Sequence, residues 1–489
     1  MLFNSVEFAI FFPIVTILFF LLPHRWRWLL LLLASCFFYM FFRPVYIFIL
    51  IFTIIIDYFA GIWIARQADK KKRKLLLLLS IIANVGVLVV FKYYNFLAEN
   101  LNIVLESVHK TGRVPFLNML LPIGLSFHTF QAMSYTIEVY KGRQQPEKHF
   151  GIYALYVMFY PQLVAGPIER PQNILHQFHE VKRFEYDNMK HGLVLIAWGL
   201  FKKVVIADRL ALFVNHVYGS PFDYTGLPLI IGTVFFAFQI FCDFSGYSDI
   251  ARGTARCMGF ELMRNFDRPY MAQGIGEFWR RWHISLSTWF RDYVYIPLGG
   301  NKVSRGRWYF NILVVFVLSG IWHGANWTFL IWGGLHGIYL IAESVAYKFF
   351  PKWQKPSSSF VFFLLKRTYV FTLVTLAWVF FRAQNLSQSL YIIRHFFSGL
   401  SNQLRQIVTN QHFSRLKLLY VDQPAGEFAL AIGFILLMMV IHFGQKGRDF
   451  DEWLVQKPSY VRWPIYYGLV LTFVFFGIFN KSDFIYFQF

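Results

Sequence analysis

Two histidines stand in otherwise apolar sequence, His283 in EFWRRWHISLSTWFRDYVYIPLGGN and His323 in VLSGIWHGANWTFLIWGGLHG. A neutral imidazole can take a proton from an alcohol, and moving an acyl group from a thioester to a hydroxyl needs such a base plus donors for the developing oxyanion. Direct transfer of this kind needs no serine or cysteine nucleophile motif. On helical spacing Gly320, His323, Asn326 and Trp327 share one face, where the glycine would admit another helix or a substrate and Asn326 would offer a hydrogen bond beside the imidazole. The same count puts Trp279, His283, Leu286, Ser287 and Phe290 on one face, with Arg280, Arg281, Arg291 and Asp292 supplying charge and Pro297, Gly299 and Gly300 ending the helix. Trp282 and Trp322, each next to a histidine, complete the candidate cavity residues. One intramembrane histidine reads first as a bond between helices; two in adjacent segments, one inside WHGAN, read as a site.

The elements that must position them are membrane helices. The 489 residues are 57% hydrophobic and 21% aromatic, with a mean hydropathy of +0.46, which excludes a soluble fold. A bilayer core of roughly 30 Å demands about 17 to 25 apolar residues per helix and admits no open sheet edge. Such runs fall at 6–22, 28–42, 45–65, 75–91, 117–140, 152–165, 227–244, 313–332, 333–349, 360–381, 427–443 and 463–479. Gly333 and Gly334 are expected to break the helix between 313–332 and 333–349. The amphipathic stretch 169–213 could lie on the surface or dip in, and 384–426 reads as interfacial. The expected fold is all-α and polytopic, with 11–13 transmembrane helices plus interfacial or re-entrant ones, in a single integral membrane domain over 1–489. No internal duplication of the transporter kind is visible.

The formal charge of +21 suggests cytoplasmic loops and contact with anionic membrane lipid rather than nucleic acid, for which there is no motif. The run Lys70 to Lys74 is expected to be cytoplasmic, which puts the N-terminus outside; the basic loops 302–307, 348–355 and 446–448 then fall inside and the C-terminus outside. His323 lies about 13 residues into a helix starting near Phe310, roughly 20 Å deep. The N-terminus lacks a basic n-region and a small-residue cleavage site, so the first span is expected to be retained. Three cysteines, Cys36, Cys242 and Cys257, show neither a disulfide framework nor metal spacing.

The runs PIGLSFHTFQ at 122–131, VAGPIERP at 164–171, DFSGYSDIARGTARCMGF at 243–260, FWRRWHISLSTWFRDYVYIPLGG at 278–300 and GIWHGANWTFLIWGGLHG at 320–337 resemble the membrane-bound O-acyltransferase (MBOAT) superfamily, in its bacterial branch of alginate O-acetylation and D-alanyl transfer proteins. The resemblance covers nearly the whole chain. It implies a site in a funnel or pore across the bacterial cytoplasmic membrane, with His323 at the position of the family's near-invariant histidine and His283 at that of the branch's second functional histidine. It also implies a cytoplasmic thioester donor as co-substrate, acetyl-CoA or an acyl carrier protein, with no permanently bound cofactor. The acceptor would be extracytoplasmic, such as an exported polysaccharide, reached with a partner acyltransferase on the far side.

FIYFQF at 484–489 is similar to a C-terminal motif of the same branch, so Tyr486 would be an acyl acceptor or guide; the alternative is an aromatic interfacial anchor. Asp243 and Asp249 could help position the donor, but pairing with Arg252 or Arg256 is the first expectation. His336 reads as structural, and His128 with Gln131 as an interhelical bond or a cavity lining. A lipid or polymer transporter also explains charged and histidine-bearing helices, but inverted repeats are missing. A lipid-linked glycosyltransferase should show acidic loop residues as its base, and none stands out. Within acyl transfer, teichoic acid or peptidoglycan remain alternative acceptors.

Overall fold

The computed structural model describes residues 1–109, 112–118, 121–164, 166–354, 359–409, 417–445, 447–479 and 484–485. The chain divides into two compact units, Met1–Ile196 with Tyr247–Arg264, and Ala197–Gly246 with Asn265–Phe489. Among the described residues six helices are long and apolar enough to cross a membrane, among them Pro44–Arg66, Lys70–Ser107, Leu227–Cys257 and Trp327–Phe349. The larger number of runs read from the sequence includes shorter helices such as Val6–Leu21, of 16 residues, and His24–Met40, of 17. Large apolar side chains are exposed along these helices, Phe48 by 69% and Ile82 by 64%, as a lipid-facing surface requires.

In the first unit the basic run opens the helix Lys70–Leu88, and Asp69 caps it by accepting from Lys71 N at 2.8 Å. A carboxylate there offsets the cations that the helix dipole disfavours in a first turn. Arg73 reaches across to Tyr140 O at 2.8 Å, tying this end to the helix Leu125–Tyr140. Deeper, fully buried Asp57 accepts from Ser80 Oγ at 2.6 Å and Asn84 Nδ2 at 2.8 Å, and Ser80 Oγ lies 3.1 Å from Thr136 Oγ1. Three helices are thus joined by polar groups that would be costly if left unmade in lipid. Gln131 donates to Tyr156 O at 2.5 Å while Tyr156 Oη donates to Gln131 O at 3.0 Å, so this glutamine serves interhelical bonding. The run 152–165 is divided into Phe150–Met158 and Tyr160–Leu163, because Pro161 has no N–H for a continuous ladder.

The stretch 169–213 is not uniform: Val181, Phe184 and Tyr186 are exposed, whereas the residues from 201 to 211 are buried. The chain runs through Tyr186–Leu200, a π turn Phe201–Ala207 and Asp208–Gly219, and Lys202 and Lys203 are each only 3% exposed. The helix Leu227–Cys257 extends 13 residues beyond the apolar run because its polar residues find partners, Asp249 facing Arg252 at 3.8 Å. Among the described residues Asp243 pairs with Lys203, at 2.8 Å, rather than with an arginine.

In the second unit the expected break at Gly333–Gly334 is absent, and Trp327–Phe349 is one helix. The break falls at 324–326, after Arg305–His323. Asn326 is extended and caps the new helix, accepting from Thr328 N at 3.0 Å. The glycines serve close packing instead: a Cβ on Gly333 would strike Phe316 O, and one on Gly320 would strike Phe329 O, so the two helices touch backbone to backbone. Gly334 faces open space. We expect Gly333→Ala to destabilise by about 1–3 kcal/mol and Gly334→Ala to be neutral or stabilising by up to about 1 kcal/mol, read by thermal unfolding in detergent.

Candidate active site

His323 is the last residue of Arg305–His323. That helix begins five residues before the expected start, so 18 rises of 1.5 Å carry His323 about 27 Å along the axis from Arg305. The turn at Gly324 takes Asn326 off the His323 face; its Nδ2 donates to Gln384 O at 3.0 Å, and its place is the helix cap rather than the imidazole.

His283 likewise breaks an expected helix. The chain forms Ile275–Arg281, an extended Trp282, His283 at φ 44°, and then Ile284–Phe290. Trp279 and Ser287 therefore do not share a continuous face with His283. A non-glycine residue in the left-handed region is uncommon and needs its surroundings to hold it. Here the holder is Asn265, whose backbone O accepts from Ile284 N at 2.9 Å and whose Oδ1 accepts from Ser285 N at 3.2 Å and Ser285 Oγ at 2.9 Å. Since the Ser285 amide can only donate, the atom it meets is the carbonyl oxygen of Asn265. His283 Nδ1 lies 3.1 Å from that oxygen, so Nδ1 carries the proton and Nε2 presents its lone pair.

The two imidazoles come together. Their ring centroids are 6.4 Å apart at 58°, close enough for reacting groups held between them to meet both rings. Trp322 borders both, 6.1 Å from His283 and 4.8 Å from His323. Phe244 meets His283 edge-on at 4.6 Å, and Trp332 and Phe381 enclose His323 at 5.1 and 5.3 Å. His283 is fully buried and His323 4% exposed, so charge developing there would be poorly screened by water. Trp282 lies one layer away against Phe266 and Trp378, at 5.1 and 5.0 Å. His336 accepts from Trp279 Nε1 at 3.3 Å in the same aromatic packing, in keeping with a structural role.

Ser287 belongs to a neighbouring cavity of about 570 Å³, with Trp279, Phe316, Ser319, Arg280 and Arg291 in its wall. Ser319 is one turn before His323, so the cavity follows the His323 helix from Trp308 toward the imidazole. A second cavity of about 570 Å³ shares Gly276 and Arg280 and is lined by charged groups including Arg281, Lys366 and Glu343. Among the described residues no cluster of histidine, cysteine, aspartate and glutamate could hold a metal ion. Tyr486 lies outside the described residues, but Phe484 and Ile485 before it are 1% and 2% exposed. Sequence reasoning missed Asn265, whose only signal is its place just after the DFSGYSDIARGTARCMGF run, Trp332, whose signal is its place within the 320–337 run, and Phe381, which carries none beyond general aromatic content.

A family model for the membrane-bound O-acyltransferases matches residues 149–383, which include both histidines. A probable alginate O-acetylase AlgI of Azotobacter vinelandii is 37% identical over 86% of the chain and 84% of its own length. The chain belongs to the membrane-bound O-acyltransferase family. A peptidoglycan O-acetyltransferase of Helicobacter pylori is 37% identical over 76% of the chain and 73% of its own length. A teichoic acid D-alanyltransferase of Streptococcus thermophilus is 32% identical over 52% of the chain and 63% of its length. The protein is a multi-pass membrane acyltransferase of this family, and a transporter or glycosyltransferase reading falls away.

The hydrogen bond from His283 to Asn265 sets the tautomer, and tautomer control of a catalytic imidazole has large effects on turnover. In nitrogen-15 spectra of histidine-labelled protein, assigned by difference from a His283→Ala sample, Nδ1 of His283 should appear protonated. Asn265→Leu should shift that signal and lower turnover by about 10- to 100-fold, whereas Asn265→Asp, which keeps an acceptor, should keep the Nδ1 proton.

Proposed function

We propose that this protein moves an acyl group, an acetyl group in the favoured reading, from a cytoplasmic thioester donor for O-acetylation of an exported polysaccharide such as alginate. The observation that carries the proposal is the pairing of His283 and His323 at 6.4 Å, at the end of a helix that begins on the basic residues Arg305 and Arg307. By the positive-inside rule those residues face the cytoplasm, so the inner bacterial membrane is the proposed location, with both termini outside.

The donor, acetyl-CoA or a loaded acyl carrier protein, would offer its thioester arm to the apolar cavity beside Trp279 and Phe316, while Arg280, exposed between the two cavities, suits its phosphate. His323 accepts the acceptor hydroxyl's proton as the new C–O bond forms at the thioester carbonyl. The tetrahedral intermediate so formed collapses, the carbonyl re-forms as the C–S bond breaks, and the departing thiolate recovers the proton from His323, so no external reagent is consumed. His283 orients the donor from the other side, its Nε2 lone pair accepting a hydrogen bond from a donor N–H. An extracytoplasmic acyltransferase partner then carries the group to the glycan.

Transfer to peptidoglycan is the second reading, since the peptidoglycan O-acetyltransferase relative matches at the same 37% identity as the alginate one. Mass analysis of native glycans with and without the gene identifies the acceptor: acetyl lost from an exported polysaccharide supports the first reading, and acetyl lost from peptidoglycan alone supports the second. His323→Ala should leave a folded, membrane-inserted protein with thioester-dependent transfer lowered by about 100- to 10,000-fold, the usual worth of a general base. Undiminished transfer by that variant would refute the assignment.

A further inference from the structure

The π turn Phe201–Ala207 and the residues just after it gather groups that the acyl-transfer account leaves unused. Lys203 Nζ lies 2.9 Å from Asp208 Oδ1 and 2.8 Å from Asp243 Oδ1, with all three side chains 3–4% exposed. Lys202 is equally buried and donates to Ser245 Oγ at 3.0 Å, so two cations and two carboxylates balance. Asp208 on its own neutralises Lys203. Asp243 is then used a second way: its Oδ2 accepts the backbone N–H of Ile485 at 2.8 Å.

Other bonds from this region point at the same stretch of chain. Arg209, held by Glu427 at 2.8 Å, donates to Phe476 O at 3.0 Å. The widened ladder of the π turn presents Val204 O to Ile478 N at 3.1 Å. The chain after the helix Ser459–Phe476 is thus fastened at Phe476, Ile478 and Ile485 by one short region and the aspartate beside it. At the last fastening Phe484 packs against Phe244 at 5.9 Å, and Phe244 is the ring standing edge-on to His283.

We propose that Asp243 is a positioning residue, a buried latch that, held by Lys203, fixes Phe484–Ile485 against Phe244 and so sets the wall on which the His283 ring rests. A carboxylate suits this work because one oxygen can hold the lysine while the other receives the peptide N–H. A salt bridge serving stability alone would have no need of the Ile485 contact. The effect on turnover rests on the acyl-transfer reading above; the latch itself does not.

The test uses full-length protein carrying Ile485→Cys on a Cys36→Ala, Cys242→Ala, Cys257→Ala background, labelled in detergent with a polar maleimide. With Asp243 intact, labelling should be slow. Asp243→Ala, which leaves Lys203 its Asp208 partner, should speed it by about tenfold or more, as local opening of a buried segment does. Asp243→Asn, which keeps an oxygen for Ile485 N, should stay within about threefold of the parent. In parallel, Asp243→Ala should lower kcat by about tenfold with KM for the donor unchanged, and Asp243→Asn should restore most of it. Equal labelling of the Asp243→Ala and parent proteins, or equal acceleration by Ala and Asn, overturns the latch. Should Asp243→Ala fail to fold, amide exchange of unmodified protein decides: protection of the peptide bearing Ile485 supports the latch, and exchange at the rate of an open chain overturns it. Labelling and amide exchange need no turnover, so an inactive parent counts against the acyl-transfer reading and leaves the latch to be judged separately.

Discussion

The contact of Gly320 with Gly333 is the constraint on which the site depends. Only glycine lets Phe316 O and Phe329 O approach the facing helix, and this fixes the pair Arg305–His323 and Trp327–Phe349 in register. With the register set, the turn at 324–326 leaves His323 at a helix end, walled by Trp322 and Phe381 and by Trp332 of the second helix. A continuous helix would have carried Asn326 past the imidazole. The interruption gives Asn326 to the backbone as a cap and leaves the ring an aromatic enclosure facing His283.

His283 is placed by the opposite means. It is itself the left-handed residue between two short helices, at the start of the second, and the carbonyl oxygen of Asn265 is the peg. The same oxygen that secures the backbone at Ser285 also fixes the imidazole tautomer, so local fold and proton placement come from one atom. This joins an uncommon backbone conformation to a site whose chemistry asks for a lone pair in a known direction.

The sequence made His323 legible because a polar residue in a bilayer-length apolar run is expensive and therefore conspicuous, and His283 and Trp322 because they stand in runs that resemble the family's. The helical character and the positions of most spans followed from the apolar runs. The place of the break did not, because Gly333–Gly334 and Gly324–Asn326 both look like helix breakers on paper, and which of them is packed against a neighbouring backbone is a tertiary fact. Asp243 was matched with arginines 9 and 13 residues along its own helix, whereas its partner Lys203 sits 40 residues earlier on another. Asn265 carried no signal beyond its place just after the 243–260 run, since an asparagine in a short connection is ordinary until its oxygen meets three donors.

The central claim is that His283 and His323 act as one acyl-transfer centre. It is tested most directly by a double-mutant cycle on thioester-dependent transfer, with His283→Ala, His323→Ala and the double variant measured under identical conditions. Groups that act as a unit are strongly non-additive, so the double variant should be no more than about threefold slower than His323→Ala alone. Losses that multiply across the two positions would show two histidines working independently and would contradict the account.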